Sequence, residues 1–148
     1  MKITTKIAKF NTPLHLESGR ILESYQLAYE TYGEINDDKS NIIVITHALS
    51  GSHHAAGYYD GDRKPGYWND LIGDNKAVDT SKYFVVATNN LGSCFGSTGP
   101  MSLMPNSSEP YRMKFPVLTI SDIVKAQKKP TRIFRYLSCK SSNWWFNG

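Results

Sequence analysis

Two short runs of β-branched and aromatic residues, each followed by a loop of small and polar residues, constrain the fold of this chain most strongly. The first run covers residues 41–46 (NIIVIT) and the second covers residues 83–88 (YFVVAT). Continuous apolar runs of this length are typical of strands buried on both faces of a parallel sheet. The loops that follow, residues 47–54 and 89–100, therefore stand at the carboxyl ends of strands, where open α/β sheets bind ligands.

The residues before these runs predict an antiparallel pair of strands. Polar and apolar residues alternate over residues 2–10, which predicts a half-buried strand. Residues 16–22 predict a hairpin with its turn at residues 18–19, and a return strand follows over residues 25–33. Antiparallel strands followed by buried strands that alternate with helical segments indicate an α/β architecture with a mostly parallel sheet.

Two later segments are predicted to be helical. Residues 66–73 form a short helical turn with an aromatic face, and residues 119–127 form a helix with Ser121 as its N-cap. The apolar stripe of this helix consists of Ile120, Ile123 and Val124. No internal repeat or low-complexity segment interrupts the pattern.

Residues 130–148 (PTRIFRYLSCKSSNWWFNG) show no periodicity and differ in character from residues 1–129. Tryptophan has a single codon, so Trp144-Trp145-Phe146 fixes much of the underlying base sequence. When the bases from the Trp144 codon onward are read one position later, they encode Gly-Gly, then Ser or Leu, then Met or Thr. Upstream of this Gly-Gly, the shifted frame permits a continued helix and then an apolar strand. That order suits a nucleophile elbow, a serine on a sharp strand-to-helix turn. We therefore expect residues 1–129 to open a larger enzyme domain and residues 130–148 to be a frameshifted tail.

The composition argues against several classes of function. The 17 basic and 13 acidic residues give a net charge of +4. Five of the basic residues lie in or next to the tail: Lys128, Lys129, Arg132, Arg135 and Lys140. No nucleic-acid partner is therefore inferred from the charge. Cys94 and Cys139 are too few for a disulfide framework or a CxxC metal site.

No apolar run in the sequence approaches the roughly 20 residues that cross a membrane. The N-terminal segment MKITTKIAKF alternates instead of forming the apolar core of a signal peptide. We therefore expect a cytoplasmic protein with no membrane partner.

The loop after the third predicted strand suits the stabilisation of an oxyanion. In α/β hydrolases the nucleophile stands on one strand-end turn, and half of the oxyanion hole comes from the loop after the third strand. Here that loop begins His47-Ala48-Leu49-Ser50-Gly51, so a backbone N–H near Leu49 could face a developing oxyanion. Such donors contribute roughly 2.7–4 kcal/mol in acyl transfer. An ordinary strand-to-helix loop is the alternative interpretation of the same residues.

Three segments resemble one enzyme family. They are HALSGSHHAAGYYDGDRKPGYWNDLIG (residues 47–73), DTSKYFVVATNNLGSCFGSTGP (residues 79–100) and FPVLTISDIVKAQKK (residues 115–129). They look like homoserine O-acetyltransferase, the α/β-hydrolase-fold acyltransferase of methionine biosynthesis, and the resemblance covers nearly all of residues 10–129. It implies that the chain is the N-terminal part of an α/β-hydrolase fold, with the lid and the C-terminal half of the domain absent.

The resemblance also implies a mechanism. A serine takes the acetyl group from acetyl-CoA, a His–Asp pair activates that serine, and the hydroxyl of L-homoserine accepts the acetyl group in a ping-pong sequence. By matching position, Leu49 would supply one oxyanion-hole N–H. The residues that would line or buttress the pocket are His47, Ser50, Gly51, Asn89, Asn90, Gly96, Ser97 and Thr98.

The catalytic serine, aspartate and histidine of the family are expected beyond Gly148, so these 148 residues alone are expected to be inactive. Acetyl-CoA is expected as a co-substrate, with no bound cofactor and no metal, and an intact family member is expected to be a homodimer. A sheet that stops after its fourth strand leaves buried edges unpaired, which predicts poor solubility for the fragment.

Other interpretations of the same residues stay open. Homoserine succinyl transfer, a hydrolase or esterase of the same fold, and a non-catalytic binding fragment all fit these segments. A metal site could be built from His47, His53, His54, Asp60 and Asp62, although their spacing does not match HExxH or other sites of known mechanics.

Three further side-chain groups have functional alternatives. Ser50 or Ser52 beside His47 could mimic a Ser–His pair, but neither has an elbow. Cys94 could be a lone nucleophile. An aromatic cluster could either stack on a ligand or pack against the protein, and it consists of Tyr58, Tyr59, Tyr67 and Trp68.

Overall fold

A four-stranded mixed sheet organises the residues that the computed structural model describes, which are residues 1–133, with only the backbone for residues 129–133. In chain order the strands are β1 (Lys6–Phe10), β2 (Leu14–His15), β3 (Ile21–Leu22), β4 (Tyr25–Tyr32), β5 (Ile42–Ile45), β6 (Ile72–Gly73), β7 (Val78–Asp79) and β8 (Phe84–Thr88). The spatial order of the main sheet is β1-β4-β8-β5. The β1–β4 and β4–β8 pairs are antiparallel and the β5–β8 pair is parallel. An antiparallel start therefore leads into a parallel pair, as the sequence predicts.

The two apolar runs form β5 and β8, which confirms the strongest sequence prediction. All five residues of β8 are buried because β4 and β5 flank the strand. In β5 only Ile45 is buried, since among the described residues this strand pairs with β8 alone. The prediction of burial on both faces is thus right for β8 and wrong for most of β5. Ile45 lies opposite Ala87, so both strands end at the same edge of the sheet.

The predicted antiparallel strands are present with shifted bounds. β1 begins at Lys6 rather than at residue 2, and it buries Ala8 and Phe10 while Ile7 stays exposed. The Phe10 ring stacks on the Tyr25 ring of β4 with 4.7 Å between centroids. The short β2–β3 hairpin turns at Gly19, whose φ of +76° is in the left-handed region that favours glycine.

The predicted helical turn over residues 66–73 forms a single turn and not a helix. The Trp68 carbonyl accepts the N–H groups of Leu71 at 2.9 Å and Ile72 at 3.0 Å. Ile72 then begins β6, which pairs in parallel with β7. The buried Ile72 side chain packs in a cluster with Ala55 and Ala56, so tertiary packing favours the strand at this position.

Helix α1 (Ile120–Ile133) continues past the predicted end at Gln127, and its N-cap is Thr119 rather than Ser121. The Asp122 N–H donates to Thr119 Oγ1 at 3.2 Å, and the Thr119 N–H donates to Asp122 Oδ2 at 3.1 Å. This reciprocal pair is a capping box, which needs the residue directly before the helix. The predicted tail lies outside the described residues from residue 134 onward.

The apolar stripe predicted for α1 is also corrected. Ile120 is 77% exposed, and Ile123 and Val124 are half-buried. The buried face of the helix consists of Asp122, Ala126 and Gln127. Asp122 can be buried because its Oδ1 accepts the backbone N–H of Glu17 at 3.0 Å while its Oδ2 serves the cap. Burial alone would raise the pKa of Asp122, but these hydrogen bonds outweigh it and hold the pKa below the usual value.

Replacing Asp122 by alanine is expected to destabilise the fold by about 1–2 kcal/mol, because the change removes the partner of Thr119 in the capping box and leaves the Glu17 N–H without its side-chain acceptor. The urea midpoint of the protein in its native length measures this loss. Ser121→Ala is the matched control, since Ser121 is exposed and is not the cap, and its effect should stay within about 0.5 kcal/mol. Equal losses for the two variants would contradict the assignment of the cap.

Candidate functional site

The loop that follows β5, residues 46–54, presents a backbone donor at its tip and is called here the β5 loop. The Gly51 N–H donates to the Ala48 carbonyl at 2.8 Å, which closes a tight turn with Leu49 and Ser50 at its tip. The Leu49 side chain is fully exposed. Its N–H donates to no acceptor among the described residues. The turn therefore offers a free backbone N–H at the carboxyl edge of the sheet, where the sequence predicts an oxyanion donor.

His47 fixes the start of the β5 loop to the neighbouring loop, residues 89–100, called here the β8 loop. Its Nδ1 lies 2.8 Å from the Ala48 carbonyl, which can only accept, so Nδ1 carries the proton. Nε2 then accepts the N–H of Asn90 at 3.2 Å. The Asn90 side chain in turn accepts a hydrogen bond from Gln127 Nε2 of helix α1 at 2.7 Å. A neutral imidazole thus connects the two loops, and through Asn90 they connect to the helix.

The β8 loop folds back onto strand β4 through the other predicted pocket residues. Ser97 Oγ donates to the Asn89 carbonyl at 2.9 Å and accepts the Ala28 N–H at 3.1 Å. The Thr98 Oγ1 accepts the Gln26 N–H at 2.8 Å. Asn89, Ser97 and Thr98 are all buried, so they hold the loop in place and do not offer free polar groups.

Gly96 has a backbone conformation that other residues rarely adopt. Its φ is +93°, and an added Cβ would lie 3.2 Å from the Ala28 Cβ. A glycine is therefore required where the β8 loop passes over β4. Of the predicted pocket residues, the structure joins His47 to Asn90 and gives four others a buttressing place: Asn89, Gly96, Ser97 and Thr98. Ser50 and Gly51 lie in the exposed turn with Leu49, and their contact with a substrate stays a prediction.

A buried carboxylate that sequence analysis did not single out stands behind the β5 loop. Glu30 of β4 is fully buried, and it accepts hydrogen bonds from Tyr32 OH, from Tyr59 OH at 2.5 Å and from His54 Nδ1 at 3.2 Å. The His54 and Tyr59 rings stack with 4.1 Å between centroids. The available sequence signal was Glu30 itself, an acidic residue two positions before Tyr32 and on the same face of the strand.

The number of protons and lone pairs on each group determines which atoms donate and which accept in this cluster. The Tyr59 hydroxyl donates its only proton to Glu30. Thr5 Oγ1, which lies 3.0 Å from the Tyr59 oxygen, must therefore donate to it. His53 Nε2 lies 2.9 Å from Thr5 Oγ1 and therefore donates to it. Burial lowers the pKa of His53, which favours the neutral ring that this arrangement uses. Burial, followed by the hydrogen bond to Glu30, raises the pKa of Tyr59 to about 12, so the phenol keeps its proton.

The alternative chemistries that the sequence left open have little support in this geometry. Among residues 1–128, no group of three or more His, Cys, Asp or Glu side chains is arranged to hold a metal ion. Both ring nitrogens of His47 are engaged, and Ser52 Oγ accepts the His54 N–H at 3.2 Å, so no Ser–His pair forms at Ser52.

The remaining candidates are exposed or packed. Cys94 is a free, exposed thiol. Tyr67 packs edge-on against Trp68, with 5.8 Å between ring centroids, while Tyr59 belongs to the Glu30 cluster. Within the described part of the chain, no helix has the length and apolar character needed to span a membrane.

Comparison with known sequences gives clear relatives. The homoserine O-acetyltransferase of Nautilia profundicola is 72% identical over 129 residues, which cover 86% of this chain and 35% of that protein. The homoserine O-succinyltransferase of Halothiobacillus neapolitanus is 51% identical over 143 residues, 96% of this chain and 34% of that protein. The chain thus spans about a third of the length of the curated relatives it matches. No protein-family profile matches the chain.

Comparison with solved structures also finds similar proteins. The crystal structure of homoserine O-acetyltransferase from Bacillus anthracis is 35% identical with a TM-score of 0.82, over 91% of this chain and 38% of that one. The crystal structure of esterase E22 is 36% identical with a TM-score of 0.82, over 90% of this chain and 38% of that one. The described residues therefore form part of an α/β-hydrolase domain.

Proposed function

We propose, from the premise that this chain is homologous over most of its length to homoserine O-acetyltransferases and O-succinyltransferases, that it is part of an acyltransferase of the α/β-hydrolase fold. The donor that we propose is acetyl-CoA and the acceptor is the hydroxyl of L-homoserine. The observation that carries the proposal is the free Leu49 N–H at the tip of the β5 loop. It lies on the loop after the third long strand of the domain, which supplies half of the oxyanion hole in this fold.

The proposed reaction has two halves. A serine oxygen attacks the thioester carbonyl of acetyl-CoA, and the Leu49 N–H stabilises the negative charge that develops on the carbonyl oxygen. The CoA thiolate leaves and takes the proton that the serine gave up to a histidine. The homoserine hydroxyl then attacks the acetyl-serine, its proton passes to the same histidine, and the serine is regenerated. The serine, its histidine and the aspartate belong to the part of the enzyme that follows the described residues.

We also propose that residues 1–129 are the N-terminal portion of that domain and that residues 130–148 are a frameshifted tail. The acetyltransferase of Nautilia profundicola aligns over 129 residues, or 86% of this chain, which is consistent in length with an N-terminal portion of this size. The Halothiobacillus neapolitanus protein aligns over 143 residues, so the boundary needs a direct test. Peptide mapping by mass spectrometry of the protein from its own cells would provide one, because the two frames give different peptides after Lys129.

Esterase activity is the second candidate, and the match to esterase E22 favours it. A substrate assay separates the candidates with the protein of native length. Acetyl-CoA with L-homoserine should give turnover, and acetyl-CoA alone should leave one acetyl group on the protein. Turnover with succinyl-CoA but not with acetyl-CoA would show that the acyl donor is succinyl-CoA. Hydrolysis of a simple acetyl ester without transfer to homoserine would establish esterase activity. The expected homodimer is tested on the same sample by light scattering.

A further inference from the structure

Several hydrogen bonds attach the β5 loop to the rest of the domain, and two of these attachments lie at its start and just beyond its end. At its start, His47 accepts the Asn90 N–H of the β8 loop. Just beyond its end, the N–H groups of Ala55 and Ala56 both donate to Tyr32 OH at 3.0 Å. Between these two attachments the chain turns through Leu49, whose side chain is fully exposed. The position of the turn therefore depends on how firmly both attachments are held.

The attachment at Tyr32 uses the full hydrogen-bonding capacity of the phenol. The oxygen accepts two backbone N–H groups and has one proton to donate, which goes to Glu30 Oε2. A carboxylate can only accept, so it keeps the Tyr32 proton turned away from the loop and both lone pairs turned towards it. Tyr32 and both alanines are buried.

Glu30 is itself held in place by the sheet. It lies opposite Ala87 in the β4–β8 register, at the centre of the main sheet, and it is fully buried. His54 Nδ1, at the end of the β5 loop, donates to the same carboxylate, as does Tyr59 OH. One carboxylate on a central strand thus sets the position of Tyr32 and of the loop residue His54 together.

We infer that Glu30 and Tyr32 are positioning residues, which hold the β5 loop so that the Leu49 N–H faces the reacting carbonyl. The inference rests on the proposed acyl transfer and names how the oxyanion donor is fixed. Both side chains are fully buried, so the role that we infer acts through the loop. Since acyl transfer is sensitive to displacements of about 1 Å at the reacting atoms, a loosened loop should slow the chemical step and leave substrate binding intact.

The test compares Glu30→Gln and Tyr32→Phe with Asp79→Asn in the protein of native length. Asp79 is a buried carboxylate that bonds Ser81 and Asn75 and has no hydrogen bond to the β5 loop, so it controls for general loss of stability. The first readout is the hydrogen-exchange rate of the Gly51 amide by NMR, because this N–H closes the turn without touching either mutated residue. The second readout is kcat and KM for acyl transfer.

Glu30→Gln and Tyr32→Phe should each raise the Gly51 amide exchange rate by about 10-fold. Each should also lower kcat by about 10-fold and keep KM within about 2-fold of wild type. Asp79→Asn should leave the exchange rate and the kinetic constants near wild type. Unchanged Gly51 exchange in both test variants would overturn the inference, and so would equal acceleration in all three. If the wild-type protein transfers no acyl group, the proposed function fails, and the Gly51 comparison still decides whether the loop is positioned in this way.

Discussion

A polypeptide of these 148 residues is expected to transfer acetyl groups to homoserine no faster than a blank without protein. When the same gene is read one base later after the Lys129 codon, the polypeptide that it encodes is expected to transfer acetyl groups at least about 10⁴-fold faster than the 148-residue polypeptide. The physical reason is that the described residues offer the Leu49 N–H, which we propose as an oxyanion donor, but contain no elbow serine. In serine enzymes the loss of triad members removes at least this factor.

The comparison is made with the two polypeptides produced and assayed side by side. A third sample, the restored frame with its elbow serine changed to alanine, is the control, and it should fall to the level of the 148-residue chain. Activity of the 148-residue chain well above the blank would contradict the proposal that residues 130–148 are a frameshifted tail. Inactivity of both long and short forms on every acyl donor would contradict the proposed function instead.

Glu30→Leu is expected to destabilise the folded protein by about 3–5 kcal/mol. The substitution introduces an apolar side chain of similar size, but it leaves the buried Tyr32 OH and the half-buried Tyr59 OH and His54 Nδ1 without their acceptor. Each buried donor that loses its partner costs about 1–3 kcal/mol. The urea midpoint of the protein in its native length measures the loss.

The control for this substitution is Glu34→Leu, two residues after the same strand. Glu34 is exposed, so its replacement should change the free energy of unfolding by no more than about 0.5 kcal/mol. Glu30→Gln should fall between the two, because an amide retains one acceptor oxygen for the Tyr32 hydroxyl. A Glu30→Leu protein as stable as Glu34→Leu would show that the carboxylate contributes little to the fold.

The strands of this fold could be predicted because their signals are local. The runs that became β5 and β8 are continuous and apolar, and the turn at Gly19 has its own residue chemistry. The exposure of β5 could not be predicted, since it depends on which strands lie beside it. The cap of α1 lies two residues before the predicted position, because Thr119 and Ser121 are both good caps and only the reciprocal bond with Asp122 distinguishes them.

The candidate site likewise contains some features that the sequence predicts and others that it does not. The two strand-end loops lie where the order of strands predicts them, and the role of Leu49, which rests on the family resemblance, stays a prediction. The Glu30 cluster did not, because it depends on the β1–β4 register and on a loop that brings His54 and Tyr59 back across the sheet. Alternation along β4 shows that Glu30 faces the same side as Tyr32, but it gives no sign of the partners that a buried carboxylate requires.

The Glu30 cluster has a consequence for how the protein is made. All of its members lie between Thr5 and Tyr59, whereas the attachment at the start of the β5 loop needs Asn90 and, through it, Gln127. Because a nascent chain leaves the ribosome from its N-terminus, the members of the Glu30 cluster emerge before β8, which packs beside Glu30, and before Asn90 and Gln127. The residues that attach the end of the β5 loop to Tyr32 and Glu30 are thus translated before the residue that attaches its start.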